Sequence, residues 1–191
     1  HGLLDLSYLR PIPNMVIGAP MTKEDLEQMM RLAKDYNGPI AIRYPRGRSV
    51  NRTDLPPVVL GQGVCVKHGS EVAVLSIGAI GNTVLEAIHS MDLGKRNLFA
   101  HYDMRWLKPI DEIILTEVVQ KFGTIVTVED GMVSGGLGSA VLEFLSDRTS
   151  YTNTPMPKVI RLGVKDQFVE HGSTKELYHL LKLDKEGICE S

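Results

Sequence analysis

The sequence predicts an α/β protein with a mostly parallel sheet, and three observations lead there. Short apolar runs rich in β-branched residues alternate with longer stretches whose apolar residues recur at helical spacing. Glycine and proline punctuate most of the changeovers. The run Pro39-Ile40-Ala41-Ile42-Arg43-Tyr44-Pro45-Arg46-Gly47 leaves a short strand between two arginines, at the strand end where open α/β sheets bind ligands. A guanidinium there offers a planar fork to a phosphate or carboxylate, and Arg46 is the leading candidate for an anion-binding group. The competing reading pairs both arginines with surface carboxylates.

Each element has its own signal. Residues 1–10 are mixed, and Pro11-Ile12-Pro13 stops any helix from continuing. Met15-Val16-Ile17 reads as a buried strand closed by Gly18-Ala19-Pro20. Thr22 and Asp25 form a capping-box start for a helix carrying Leu26, Met29, Met30 and Ala33, ended by Asn37-Gly38-Pro39. A buried strand at residues 40–42 completes strand, helix, strand, the right-handed crossover of a parallel sheet. So small a unit leaves a sheet edge open and must join a larger sheet or pack against the rest of the chain. Residues 48–57 are polar and aperiodic, the best linker candidate. Residues 61–67 and 72–77, split by His68-Gly69-Ser70, are expected to pair as a hairpin. A helix then carries Val84, Leu85, Ile88 and Met91, and a strand covers residues 98–102. Trp106-Leu107-Lys108-Pro109 reads as a loop presenting an exposed aromatic to a domain or subunit contact. Asp111 opens a helix with Ile114, Val118 and Phe122 inward, and residues 124–128 form the next strand. Leu137, Ala140, Val141, Phe144 and Leu145 mark another helix, with a polar loop at 146–155 and a strand at 158–162 after it. Ser173 and Glu176 form a capping box before Leu177, Leu180 and Leu181.

A length of 191 residues with 43% hydrophobic content supports a substantial core. A net charge of −2 with dispersed charges offers no basic stripe for nucleic acid and no polybasic segment for a membrane surface. The longest apolar run, near residues 72–80, falls well short of the roughly 20 residues of a membrane span. Cys65 and Cys189 are far apart and suggest reduced thiols in a cytoplasmic protein. The chain opens on His1 with no leader pattern, and a C-terminal piece of a longer polypeptide is expected.

Several groups admit two readings. Gly135-Gly136-Leu137-Gly138 opens a helix, so its amides could hold an anion, or its glycines could serve close backbone packing. Glu129 and Asp130 end a strand, either as acid-base groups or as a turn in which one residue pairs across an interface. Alternation of strand side chains disfavours a catalytic pair. His171 reads as structural more readily than catalytic.

The words His1-Gly2-Leu3-Leu4-Asp5-Leu6-Ser7-Tyr8-Leu9-Arg10, Ile12-Pro13-Asn14-Met15 and Arg43-Tyr44-Pro45-Arg46-Gly47, in that order, resemble the thiamine-diphosphate-dependent transketolase superfamily. Asp103-Met104-Arg105-Trp106-Leu107-Lys108-Pro109-Ile110-Asp111, Val126-Thr127-Val128-Glu129-Asp130-Gly131, Gly135-Gly136-Leu137-Gly138-Ser139 and Phe168-Val169-Glu170-His171-Gly172-Ser173 are similar to its 1-deoxy-D-xylulose-5-phosphate synthase family. The resemblance runs almost end to end. It implies that residues 1–47 end a pyrimidine-binding-type domain, 48–60 link, and 61–191 form a complete, doubly wound transketolase C-terminal-type domain.

The implied function is that of a transferase condensing pyruvate with D-glyceraldehyde 3-phosphate to 1-deoxy-D-xylulose 5-phosphate and carbon dioxide, a precursor for isoprenoids, thiamine and pyridoxal. Thiamine diphosphate and Mg²⁺ are implied for the full-length enzyme. Their binding residues are implied to lie in the upstream part of the polypeptide, leaving this chain alone inactive and without bound cofactor. A homodimer is also implied. Arg46 occupies the position of the family's phosphate-binding arginine. The family's active-site histidine lies in Thr-His-x-Gly; His1 precedes Gly2 in the x position, so no catalytic role is carried over to it. Two alternatives stand beside this reading. The β subunit of a 2-oxo acid dehydrogenase shares words like Leu-x-Pro-Ile-Asp and Val-Glu-Asp-Gly but needs no phosphate-binding Arg-Tyr-Pro-Arg-Gly, and a non-catalytic dimerisation module would need none of the chemistry.

Overall fold

The chain builds two sheets, and its local sequence accounts for the smaller one first. In the computed structural model, which describes residues 2–47, 49–149 and 155–191, a short helix α1 (Asp5–Leu9) ends before Pro11. Then come β1 (Val16–Gly18), α2 (Lys23–Asp35) and β2 (Ile40–Ile42), with Val16 opposite Ile40 and Gly18 opposite Ile42 in a parallel pair. The Thr22 hydroxyl caps α2 by accepting from the Asp25 amide at 3.0 Å. The Asp25 carboxylate does not reach back to complete a capping box; it is buried and pairs with Arg105. Met29 is the buried centre of this unit, against Val16 and Trp106, whereas Met30 lies on the exposed side. Strand β2 is half-buried rather than buried, because among the described residues it pairs on one side only.

The free side of β1 is taken by β6 (Trp106–Lys108), which runs antiparallel to it in a three-stranded sheet of order β2-β1-β6. Residues 106–108 are therefore a strand, not a loop, and Trp106 is wholly buried rather than exposed. Its ring lies so close to Gly18 that a Cβ there would stand 2.8 Å from it, and the indole N–H donates to the Val59 carbonyl at 2.9 Å. Lys108 donates to the carbonyls of Arg10 and Ile12, fastening the segment before β1 to the same strand.

The larger sheet has order β3-β5-β4-β7-β8, with β3 (Val64–Lys67), β4 (Val72–Ser76), β5 (Phe99–Asp103), β7 (Thr124–Met132) and β8 (Lys158–Val164). All neighbours are parallel except β3, which runs antiparallel to β5. The expected hairpin of residues 61–67 with 72–77 is thus overturned: β5 lies between those strands. The reason is visible in β4, an apolar run buried on both faces and parallel to both neighbours, which is the signature of a central strand. Helices α5 (Glu112–Lys121) and α6 (Leu137–Thr149) cover one face through Leu115, Val118, Ala140 and Val141. Helix α3 (Ile80–Ser90) covers the other with Ile80, Val84 and Ile88. Short helices α4 (Leu93–Arg96), α7 (Thr174–Leu180) and α8 (Lys185–Glu190) complete the chain; the Ser173–Glu176 capping box on α7 is present as expected, and α8 had no sequence signal. Residues 146–149 belong to α6, and 150–154 of the expected polar loop lie outside the described residues.

Residues 49–60 have no regular structure but are fastened along their length. The Lys23 amide donates to the Val50 carbonyl, the Arg52 amide to the Glu24 carboxylate at 2.7 Å, and the Val58 amide to the Gln28 side chain at 2.9 Å. The guanidinium of buried Arg105 donates to the carbonyls of Pro56 and Pro57 and to Asp25. No helix among the described residues is long and apolar enough to cross a membrane.

Candidate functional site

The exit of β2 sorts the two arginines into different roles. The Arg43 amide donates to the Gly18 carbonyl at 2.8 Å, extending the pairing one residue past β2, so the chain leaves the sheet at Tyr44. The Arg43 side chain turns inward to an ion pair with Asp130, and its second nitrogen lies 3.4 Å from the carbonyl oxygens of Gly2 and Asp130. Residues 44–47 face solvent, with Gly47 at φ +142°, a conformation that favours glycine. Arg46 is exposed, and no carboxylate among the described residues pairs with it. The expectation that both arginines pair with carboxylates therefore holds for Arg43 alone, and its partner is buried rather than at the surface.

Asp130 and Glu129 are neighbours in β7, not a turn, and they serve opposite sides. Asp130 binds Arg43 through one carboxylate oxygen and accepts from the Tyr178 hydroxyl through the other at 3.1 Å. Burial, then the adjacent Asp130 charge, raises the Tyr178 hydroxyl well above its usual range, so it remains a donor. Glu129 is fully buried and accepts from the amides of Leu137 and Gly138, each at 2.9 Å, at the start of α6. A Cβ on Gly136 would collide with this carboxylate. The glycine-rich turn is thus an anion cradle whose anion is the chain's own side chain, which unites the two readings of that motif. Burial pushes Glu129 up to about 7 although the two amides pull the other way.

Sequence reasoning missed a buried polar layer behind this edge. Ser76 and His101 are hydrogen-bonded at 2.8 Å between Oγ and Nε2, and Asp103 accepts from the Arg105 amide at 3.1 Å. Its only signal is two ionisable residues at alternate positions, 101 and 103, of an otherwise apolar strand. A groove of about 880 Å³ between α1, α5 and α6, lined by Arg10, Lys108, Glu143 and Phe144 among others, was also unforeseen; residues 43–47 do not line it. His171 is exposed. Cys65 and Cys189 are free, and Cys65 Sγ lies 3.5 Å from His68 Nδ1, a proximity unforeseen in the sequence. Among the described residues no three His, Cys, Asp or Glu side chains are placed to hold a metal.

A mostly parallel five-stranded sheet covered by helices on both faces, with the arginine loop of the smaller sheet tied to its strand β7, defines the class as an α/β domain of the transketolase type. Residues 61–188 match the family model described as transketolase, C-terminal domain, and the chain belongs to that family. It is 46% identical over 192 residues to a 1-deoxy-D-xylulose-5-phosphate synthase of Bacteroides fragilis, covering 98% of this chain and 29% of that protein. Identity to the enzyme of the same name from Parabacteroides distasonis is 48% over 193 residues, 99% of this chain and 30% of that one. To 1-deoxy-D-xylulose-5-phosphate synthase 2 of Geobacter sulfurreducens it is 40%, with 99% and 30% covered. The chain therefore spans less than a third of the length of these curated relatives. Among solved structures, a split gene transketolase described as an inactive β4 tetramer superposes with TM-score 0.80 at 29% identity, covering 98% of this chain and 59% of that one. Transketolase from Campylobacter jejuni shares the fold, with TM-score 0.71 at 16% identity, covering 98% and 27%.

Proposed function

We propose that this chain is the C-terminal part of a cytoplasmic, homodimeric, thiamine-diphosphate-dependent transferase. The reaction condenses pyruvate with D-glyceraldehyde 3-phosphate to 1-deoxy-D-xylulose 5-phosphate and carbon dioxide, feeding isoprenoid, thiamine and pyridoxal synthesis. In this reading residues 1–47 end the pyrimidine-binding domain, 48–60 connect, and 61–191 are the C-terminal domain. Names and near-complete coverage of the chain by the relatives support it. When bound in the whole enzyme, thiamine diphosphate supplies the carbanion chemistry. The amides at the start of α6, the anion cradle found among the described residues, are taken by Glu129 and do not fit the cofactor's diphosphate. Its diphosphate and Mg²⁺ are assigned to the upstream part of the polypeptide, and this part by itself is assigned no turnover.

The contribution of these residues is a grip on the second substrate. The observation that carries the reading is Arg46, exposed on the loop just beyond a tethered Arg43. Its guanidinium fork matches a phosphoryl group and orients the aldehyde for attack. In the full-length enzyme Arg46→Ala is expected to raise KM for D-glyceraldehyde 3-phosphate by an amount equivalent to about 2–3 kcal/mol, with KM for pyruvate unchanged. Steady-state kinetics with each substrate varied in turn would check this; an unaltered aldehyde KM removes Arg46 from the site.

A further inference from the structure

Asp130 is the point where four separate stretches of chain meet. Its carboxylate binds Arg43 at the exit of β2 and accepts from Tyr178 on α7, while the Arg43 guanidinium also lies against the carbonyls of Gly2 and of Asp130 itself. The Arg43 and Asp130 side chains retain 16% and 7% of their exposure, so solvent screens this pair far less than a surface salt bridge. Only Tyr44 and Pro45 separate Arg43 from Arg46, and Pro45 has a fixed φ, so the lever from the clasp to the exposed guanidinium is short. Neutralised by Asp130, Arg43 has its fork committed within the protein, and among the described residues 44–47 the outward charge falls to Arg46.

We infer that Asp130 is a positioning residue for the phosphate-gripping loop: acting through Arg43, and held in turn by Tyr178, it fixes where the Arg46 guanidinium meets the phosphoryl group of the aldehyde. The inference rests on the reading of Arg46 as the phosphate-binding group. Without the carboxylate, Arg43 keeps only two long contacts to carbonyl oxygens, and the loop loses its anchor beside β7. A position that merely stabilised the fold would weaken all substrates alike. A positioning role weakens the phosphorylated one selectively, because only that substrate uses Arg46.

The test compares D-glyceraldehyde 3-phosphate with unphosphorylated D-glyceraldehyde as acceptor in the full-length holoenzyme. Asp130→Ala is expected to raise KM for the phosphorylated aldehyde about tenfold, leaving KM for pyruvate and kcat/KM for D-glyceraldehyde within about twofold. Tyr178→Phe keeps the packing and is expected to shift the same constant in the same direction by a smaller factor, so it carries the test if Asp130→Ala does not fold. In the Arg46→Ala background Asp130→Ala is expected to add little, as two changes acting through one contact are not additive. Equal losses on both aldehydes, or no loss in either variant, would overturn the inference. A normal phosphorylated-aldehyde KM in Arg46→Ala would remove the underlying loop reading; a raised KM there beside a normal one in Asp130→Ala and Tyr178→Phe removes only the positioning role.

Discussion

Asp103 has no exposure, one carboxylate oxygen bonded to the Arg105 amide and the other without a partner among the described residues, and the Asp25 carboxylate close by. Burial, then Asp25, pushes its acid up to about 8 from an ordinary 3.8. Between those values the native state holds a proton that the unfolded chain has released, so stability falls as pH rises, by about 1.4 kcal/mol per pH unit while the difference is complete. Glu129, raised to about 7, adds to the same decline. His101 acts in the opposite sense: burial depresses it to about 3, so the native state keeps it neutral and stability is lost as pH falls below its ordinary 6.5. Summed over these three groups, the slopes of Asp103 and His101 cancel between pH 3.8 and 4.5, and above 4.5 Glu129 tips the balance, so their joint contribution to stability falls from there to about 8. Asp103→Asn retains an oxygen for the Arg105 amide but cannot ionise, and it is expected to flatten the decline in Tm between pH 6 and 8. A profile parallel to that of the natural chain would refute the assignment. This scale is also where the sequence was least legible. Arg43 and Arg46 are equivalent as text, and the residue that separates them is Asp130, 87 positions from Arg43.

Helix starts obey local rules, and here the sequence could be read closely. Thr22, Asp111 and Ser173 each cap the helix expected after them. The start of α6 is different, because its cap is Glu129, eight residues before Leu137, lodged where Gly136 has no side chain. Gly136→Ala must therefore expel a buried carboxylate from its two amides, and a loss of about 2–3 kcal/mol is expected from overpacking and the lost cap together. Gly94 is the control: it lies in α4 with nothing within 4 Å of an added Cβ, so Gly94→Ala is expected to be neutral or stabilising by up to about 1 kcal/mol. Denaturant midpoints of the two variants would separate by several tenths molar or more if this is right, and coincident midpoints would show that Gly136 is not a cradle. The misread elements share a different cause. Strand β6 has three residues ending before a proline, too few to show a period, and its partner β1 lies some 90 positions earlier. Strand β3 stands next to β4 in sequence, yet β4 is filled on both sides by parallel neighbours; its unbroken apolar run was a legible sign of that, overshadowed by the turn-like His68-Gly69-Ser70.

At the scale of the molecule, boundaries in sequence and in space do not coincide. The small unit at the start of the chain was legible as incomplete, since β1 and β2 leave an edge and α2 a face that fewer than about 50 residues cannot cover. Its complement comes from within the family-matched region: β6 pairs with β1, Trp106 fills the space over Gly18 and Met29, and Arg105 holds Asp25 together with the carbonyls of Pro56 and Pro57. Trp106 is the largest of these shared parts, and it contributes to the small core without lying between β4 and β7. Trp106→Ala would open a cavity there and cost about 3–5 kcal/mol locally. Because Trp106 shares its cluster with only Val16 and Met29 as other buried apolar residues among those described, while Ile17 and Leu107 face the larger core, that loss falls on the side of the small sheet turned toward α2, and local opening becomes easier than global unfolding. Amide hydrogen exchange read by mass spectrometry is expected to show faster exchange across β1, α2 and β2 in Trp106→Ala, with β4 and β7 as protected as before. Uniform acceleration through both sheets would mean that the two units unfold as one and that Trp106 is a core residue of the whole. Unchanged exchange in β1 and β2 would mean that the antiparallel pairing with β6, rather than the indole, holds the small unit in place.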